Sequence, residues 1–129
     1  TSRGRGGVIE AIRIDNVRIM NIRKKAIEIT GVYNSSKPQK VSKSTPHVKD
    51  IRISNVQCQS KEADWFCDIN GLIEKPFEDI IFKNINASAQ SGISCTDAEN
   101  VIFINTKLDT KKQQEPRLIR TSGFEWRDM

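Results

Sequence analysis

Ile51-Arg52-Ile53-Ser54-Asn55-Val56 carries apolar side chains at alternate positions and closes on an asparagine. Alternation with a period of two puts Ile51 and Ile53 on one face of an extended chain, the mark of a strand with one side buried. The phrase recurs as Ile12-Arg13-Ile14-Asp15-Asn16-Val17, as Ile80-Ile81-Phe82-Lys83-Asn84-Ile85 and as Val101-Ile102-Phe103-Ile104-Asn105-Thr106. Its asparagines lie 39, 29 and 21 residues apart, so the unit repeats while the connections change length. A second short β-like run follows each copy 10 to 14 residues later, at Ala26–Ile29, Trp65–Ile69, Gly92–Cys95 and Arg117–Arg120. Paired strands recurring in this way describe the coils of a β-solenoid, because one such unit cannot bury its apolar face alone and stacking on its neighbours can. The expectation is one all-β domain over residues 1–129, a parallel β-helix of about four coils. Leucine-rich and helical repeats are disfavoured, since the apolar spacing is neither three nor four.

Stacked coils would set Asn16, Asn55, Asn84 and Asn105 one above another. An inward-facing amide ladder, each side chain donating and accepting along the stack, is one reading. The other is the preference of asparagine for the left-handed conformation that a coil corner requires. Both make the four residues structural. Gly31 to Lys49 is polar, contains Pro38 and Pro46, and is expected to be a surface loop, because proline cannot donate to a strand ladder.

The 36% hydrophobic content supports a modest core. No apolar run approaches the roughly 18 to 20 residues of a membrane-spanning helix, so no membrane span is expected. The net charge of +5 and pI near 9.3 favour polyanionic partners. Nucleic acid is not expected among them, because no recognition-helix motif or stripe of spaced aromatics accompanies the charge. Cys58, Cys67 and Cys95 are an odd number with no close pair, and there is a single histidine, so no metal and no cofactor is expected. The cysteines are read as buried free thiols, with a Cys58–Cys67 disulfide as the alternative.

Arg3-Gly4-Arg5-Gly6-Gly7-Val8-Ile9-Glu10, followed by Asp15-Asn16-Val17 and Ala26-Ile27-Glu28-Ile29, resembles the stretch after the Arg-Ile-Lys motif of family 28 glycoside hydrolases. Thr45-Pro46, Asn55-Val56, Gly71-Leu72, Asn84-Ile85 and Gly92-Ile93-Ser94-Cys95 are similar to later landmarks of its bacterial members, which covers most of the chain. The resemblance implies a right-handed parallel β-helix of which these residues are the C-terminal portion. It also implies hydrolysis of galacturonan or pectin with inversion, and an extracellular or periplasmic setting. The family's catalytic carboxylates sit in Asn-Thr-Asp and Asp-Asp motifs, supported by Gly-His-Gly and Arg-Ile-Lys. None of the four occurs here: His47 lies in Pro46-His47-Val48, and Asp97 follows Thr96 without the asparagine. No residue of this chain is therefore assigned as catalytic, and the acids are expected upstream of Thr1.

Three residues are candidates for substrate binding. Tyr33 occupies the place of a family tyrosine that lies near the scissile bond, where a ring with a hydroxyl can pack on a sugar. Arg3 and Arg5, flanked by glycines, could grip uronate carboxylates with bidentate forks or be a solvated basic terminus. Lys37, Lys40 and Lys43 would add attraction for a polyanion. Trp65, Phe66, Phe124 and Trp126 are read as core or cap packing, with a sugar platform as the alternative for the tryptophans. The expected partners are an acidic polysaccharide and either an upstream β-helix segment or a second copy covering the first coil, whose apolar stack would otherwise be bare. The rival to an enzyme segment is a non-catalytic polyuronate-binding module with the same surface.

Overall fold

A computed structural model describes residues 1–32 and 45–128. Tyr33, Lys37, Lys40 and Lys43 lie outside the described residues. Eight strands follow in order: β1 (Val8–Ile9), β2 (Ile12–Met20), β3 (Lys25–Thr30), β4 (His47–Gln59), β5 (Trp65–Asn70), β6 (Phe77–Gln113), β7 (Arg117–Ser122) and β8 (Glu125–Arg127). Every pairing between named strands is parallel. Ile12, Ile51 and Ile80 stand in one register column, and Ile27, Cys67 and Ile93 in another. The chain is a right-handed parallel β-helix whose coils stack through the repeated phrase.

Two left-handed corners recur from coil to coil. Asn16, Asn55, Asn84 and Asn105 have φ between 53° and 61°, and Ala11, Asp50, Asp79 and Asn100 between 55° and 58°, with Gly123 at 68° in the next coil. The phrase therefore begins just after one left-handed corner and ends on the next. A single left-handed residue turns the chain without leaving extended structure on either side. This is why β6 runs unbroken for 37 residues where separate short strands were expected.

The inward positions form the core: Ile51, Ile53, Val56 and Cys58 in β4, and Ile80, Phe82, Ile85 and Ala87 beside them in β6, are all buried. Phe103 stacks on Phe82 with ring centroids 4.3 Å apart and planes 3° from parallel. Phe124 and Trp126 pack against the far side of Phe103, at 5.9 and 5.4 Å, and so cap this stack. Ile14, in the same column as Ile53 and Phe82, is 41% exposed; among the described residues its strand pairs on one side, with β4.

Asn105 donates to Asn84 at 2.8 Å and Asn84 to Asn55 at 3.0 Å, while Asn55 donates to Asp15 rather than to Asn16. These amides lie on the exposed side of the corner, not inward. The reason is that Ile53 and Val56, flanking the corner, already fill the interior. The loop expected to end at Lys49 ends sooner, since His47 and Val48 pair with Val8 and Ile9. Cys58, Cys67 and Cys95 are buried free thiols, so the disulfide alternative does not hold. Cys58 stacks beside Ala87 and Cys67 beside Ile93, on different walls of the helix.

Candidate functional site

Strands β3 and β5, residues 91–96 of β6, and β7 make one wall, and its register sets the site. Ile27, Cys67 and Ile93 point inward, so their neighbours Glu28, Asp68, Ser94 and Arg117 form a row on the outer side. Lys25 closes on this row, 2.7 Å from Asp68 and 2.8 Å from Glu28. Asp68, and secondarily Glu28, hold the Lys25 ammonium above its ordinary value of 10.5 by accepting its hydrogen bonds. Arg117 donates to the Ser94 hydroxyl at 3.0 Å and lies 4.8 Å over the Trp65 ring. Trp65 is thus half-buried on the outer wall beneath a guanidinium, whereas its neighbour Phe66 is core.

A second cluster gathers where these strands end. The Thr1 nitrogen donates to the Thr30 carbonyl at 3.1 Å, and Ser2 bridges Val32. The residues before Tyr33 therefore lie against the arginine-rich opening. Arg5 donates its backbone N–H to Ser2, closing a turn in which Gly4, Gly6 and Gly7 have φ of 90°, 63° and 78°. These glycines serve a left-handed turn that side chains adopt at a cost. The Arg5 side chain is exposed and has no ion pair among the described residues.

Arg3 is placed differently from Arg5. Its fork is closed by Glu74 in two hydrogen bonds of 2.5 and 2.6 Å, with both side chains about four-fifths buried (19% and 18% exposed). A guanidinium used this way is not open to a uronate. Nearby, Asp97 is gripped by Arg120 at 2.6 and 3.0 Å, and Lys75 donates to the Thr45 carbonyl at 3.2 Å. Asp68 and Asp97, which are buried, and Glu74, which is partly so, are thus each held by a cation.

Glu74 is moved from its ordinary 4.5 to about 2, chiefly because Arg3 donates to its charged form. A general acid requires the opposite displacement, upward towards neutrality. Burial pushes the Cys67 thiol well up and Cys95 to about 12, which leaves no thiolate nucleophile. Among the described residues no group of three His, Cys, Asp or Glu side chains is arranged to hold a metal ion. The wall can bind and orient charged groups.

The pair has a consequence for pH. A carboxyl whose folded value lies below its unfolded value stabilises the fold while ionised, so the contribution of Glu74 is complete above about 4.5 and drains away as pH falls towards about 2. The expected result is that Glu74→Gln flattens the loss of stability across that window. Urea midpoints at about pH 5 and about pH 3 measure it. Parallel losses in both proteins would remove the pair from the account.

The row Glu28, Asp68, Ser94 and Arg117 escaped the reading of the sequence because its signal is weak: the four stand third, fourth, third and first in their runs, and the strand register is what aligns them. Glu74 carried none, since it lies between strands.

The sequence model of glycosyl hydrolases family 28 matches residues 1–113. No curated protein and no solved structure matches the chain.

Proposed function

The chain belongs to glycosyl hydrolases family 28, and from that premise we propose that it forms the substrate-binding wall of a polygalacturonase-type hydrolase that cleaves galacturonan with inversion. The observation that carries the proposal is the Ser2–Val32 bridge, which draws Arg5 and the chain leading into Tyr33 to the same end of the wall. Arg5 is the open guanidinium there, suited to a uronate carboxylate, and Tyr33 supplies a ring and hydroxyl for the sugar.

Inversion needs one carboxylic acid to protonate the leaving oxygen and a second carboxylate, about 6.5 to 9.5 Å away, to activate water on the opposite face. Glu74, Asp68 and Asp97 do not take these roles, because each is held by a cation. The acid and base are assigned instead to the family's Asn-Thr-Asp and Asp-Asp motifs, which residues 1–129 do not contain. This chain binds and orients the polymer. Its setting is the extracellular or periplasmic space where such polymers occur, and no helix among the described residues is long and apolar enough to cross a membrane.

The test is release of reducing sugar from polygalacturonate by a protein in which this sequence is joined to a segment bearing those motifs, with the first product's anomer read by NMR. Arg5→Ala is expected to lower kcat/KM about tenfold, the scale of one charge-assisted hydrogen bond. Retention of the starting anomeric configuration would reject inversion. Binding at physiological salt with no sugar released would favour the non-catalytic module, a reading supported by the closed carboxylates of the wall.

A further inference from the structure

A different face carries a recess of its own. On β2, β4 and β6, past the asparagine corner, Val56, Cys58, Ile85 and Ala87 point inward, which turns Gln57, Gln59 and Asn86 outward. They line a hollow of about 1050 Å³ that also takes in Lys61, Ser88 and Lys107. A smaller recess of about 360 Å³ over the asparagine ladder shares Gln57, Asn86 and Lys107, so the two adjoin.

The register gives this surface an order. Arg18 pairs with Gln57 and Gln57 with Asn86, and the 21-residue offset that stacks Asn105 on Asn84 brings Lys107 next. At about 4.8 Å per strand, the row Arg18, Gln57, Asn86, Lys107 sets two cations about 14 Å apart with two amides between them. The three outward amides make no side-chain hydrogen bond among the described residues, unlike the laddered asparagines beside them. Each offers donors and an acceptor, the pattern that reads sugar hydroxyls.

The charges differ from those of the β3–β5–β7 wall. There Arg3, Lys25 and Arg120 are each paired with a carboxylate. Here Arg23, Lys61 and Lys107 line the hollow and Arg18 stands at its edge beside Gln57; none of the four has an ion pair among the described residues, and the carboxylates in the lining are Glu62 and Asp109. A positive, amide-floored trough along the helix axis complements an extended polyanion that also carries hydroxyls.

We propose that this hollow is a second polysaccharide site, binding an acidic glycan chain along the helix axis and away from the wall that carries Arg5. Carboxylates of the glycan meet Arg18 and Lys107, and its hydroxyls meet Gln57, Gln59 and Asn86. The inference rests on the proposed hydrolase reading only for the class of sugar. With no aromatic platform in the lining, binding depends on charge and falls steeply with salt. Such a site tethers a long polymer and is irrelevant to a short one.

The experiment uses the protein carrying this chain together with the family's catalytic motifs, and compares wild type with Arg18→Gln/Lys107→Gln and Gln57→Ala/Asn86→Ala, all exposed positions whose folding is checked by circular dichroism. Affinity electrophoresis in polygalacturonate is expected to show binding weakened about fivefold, the scale of losing two solvated contacts. KM for the polymer should rise accordingly, while hydrolysis of a short oligogalacturonide stays unchanged. Unchanged polymer binding in both variants overturns the site, as does equal binding of wild type to neutral galactan or equal competition by single-stranded DNA. A wild type that releases no sugar, with variants that still lose polymer binding, sustains the site while rejecting the hydrolase reading.

Discussion

Gly71→Ala should cost the fold about 3 kcal/mol, at the upper end of what overpacking does. A methyl group on Gly71 would meet the backbone carbonyl oxygen of Asp97, with the Asp97 carbonyl carbon and the Phe77 nitrogen both at 3.1 Å. All three are main-chain atoms, and none can swing aside as a side chain would. Asp97 is already at φ 52°, and Gly71 itself donates to the Thr96 carbonyl at 2.8 Å, so movement of either segment breaks the contact between coils. Gly92 provides the comparison. Its added methyl would also be too close to a neighbour, but that neighbour is the Leu108 Cδ2 at 2.6 Å, the tip of a flexible and half-buried side chain. Gly92→Ala should therefore lose about 1 kcal/mol. Thermal unfolding should separate the two by several degrees. Equal melting temperatures would show that the Gly71 backbone gives way more easily than its contacts imply.

The parts of the fold that could be read from the sequence are those where chemistry repeats along with geometry. Ile12, Ile51, Ile80 and Val101 share both a column and an apolar character, and Asn16, Asn55, Asn84 and Asn105 share both a left-handed φ and a side chain suited to it. The other corner was not legible. Ala11, Asp50, Asp79, Asn100 and Gly123 share the conformation but no one residue type, because neighbours stabilise that corner in different ways. Arg13 grips the Asp50 carboxylate at 3.0 and 3.1 Å, Arg52 donates to the Asp79 carbonyl at 3.0 Å, and Asn100 donates to the Asp79 carboxylate at 2.6 Å. A corner that borrows its support from the adjacent coil leaves no local motif.

The same logic divides the site residues. Arg3 and Arg5 stand two positions apart and read alike in sequence, yet one is locked to a glutamate 71 positions away and the other is exposed. Residue type and spacing cannot distinguish them, since the partner comes from the second coil beyond.

Phe103→Ala is the second large effect expected, about 4 kcal/mol. Its ring is fully buried and sandwiched between Phe82 on one side and Phe124 with Trp126 on the other. Truncation removes the transfer energy of the ring and leaves a cavity that two coils would have to collapse to fill. It also breaks the stacking with Phe82, which adds up to about 1 kcal/mol beyond burial. Trp126→Ala removes a larger ring, but one that is 45% exposed and edge-on to Phe124, so its cost should be nearer 1 kcal/mol. The ranking follows from the architecture: a solenoid's cohesion lies in the interfaces between neighbouring coils, and among the described residues Phe103 joins two of them and Trp126 one. Denaturant titration should show a lower midpoint for Phe103→Ala. If it loses no more than Trp126→Ala, cohesion at this end comes from the cap instead of from the stacked ring beneath it.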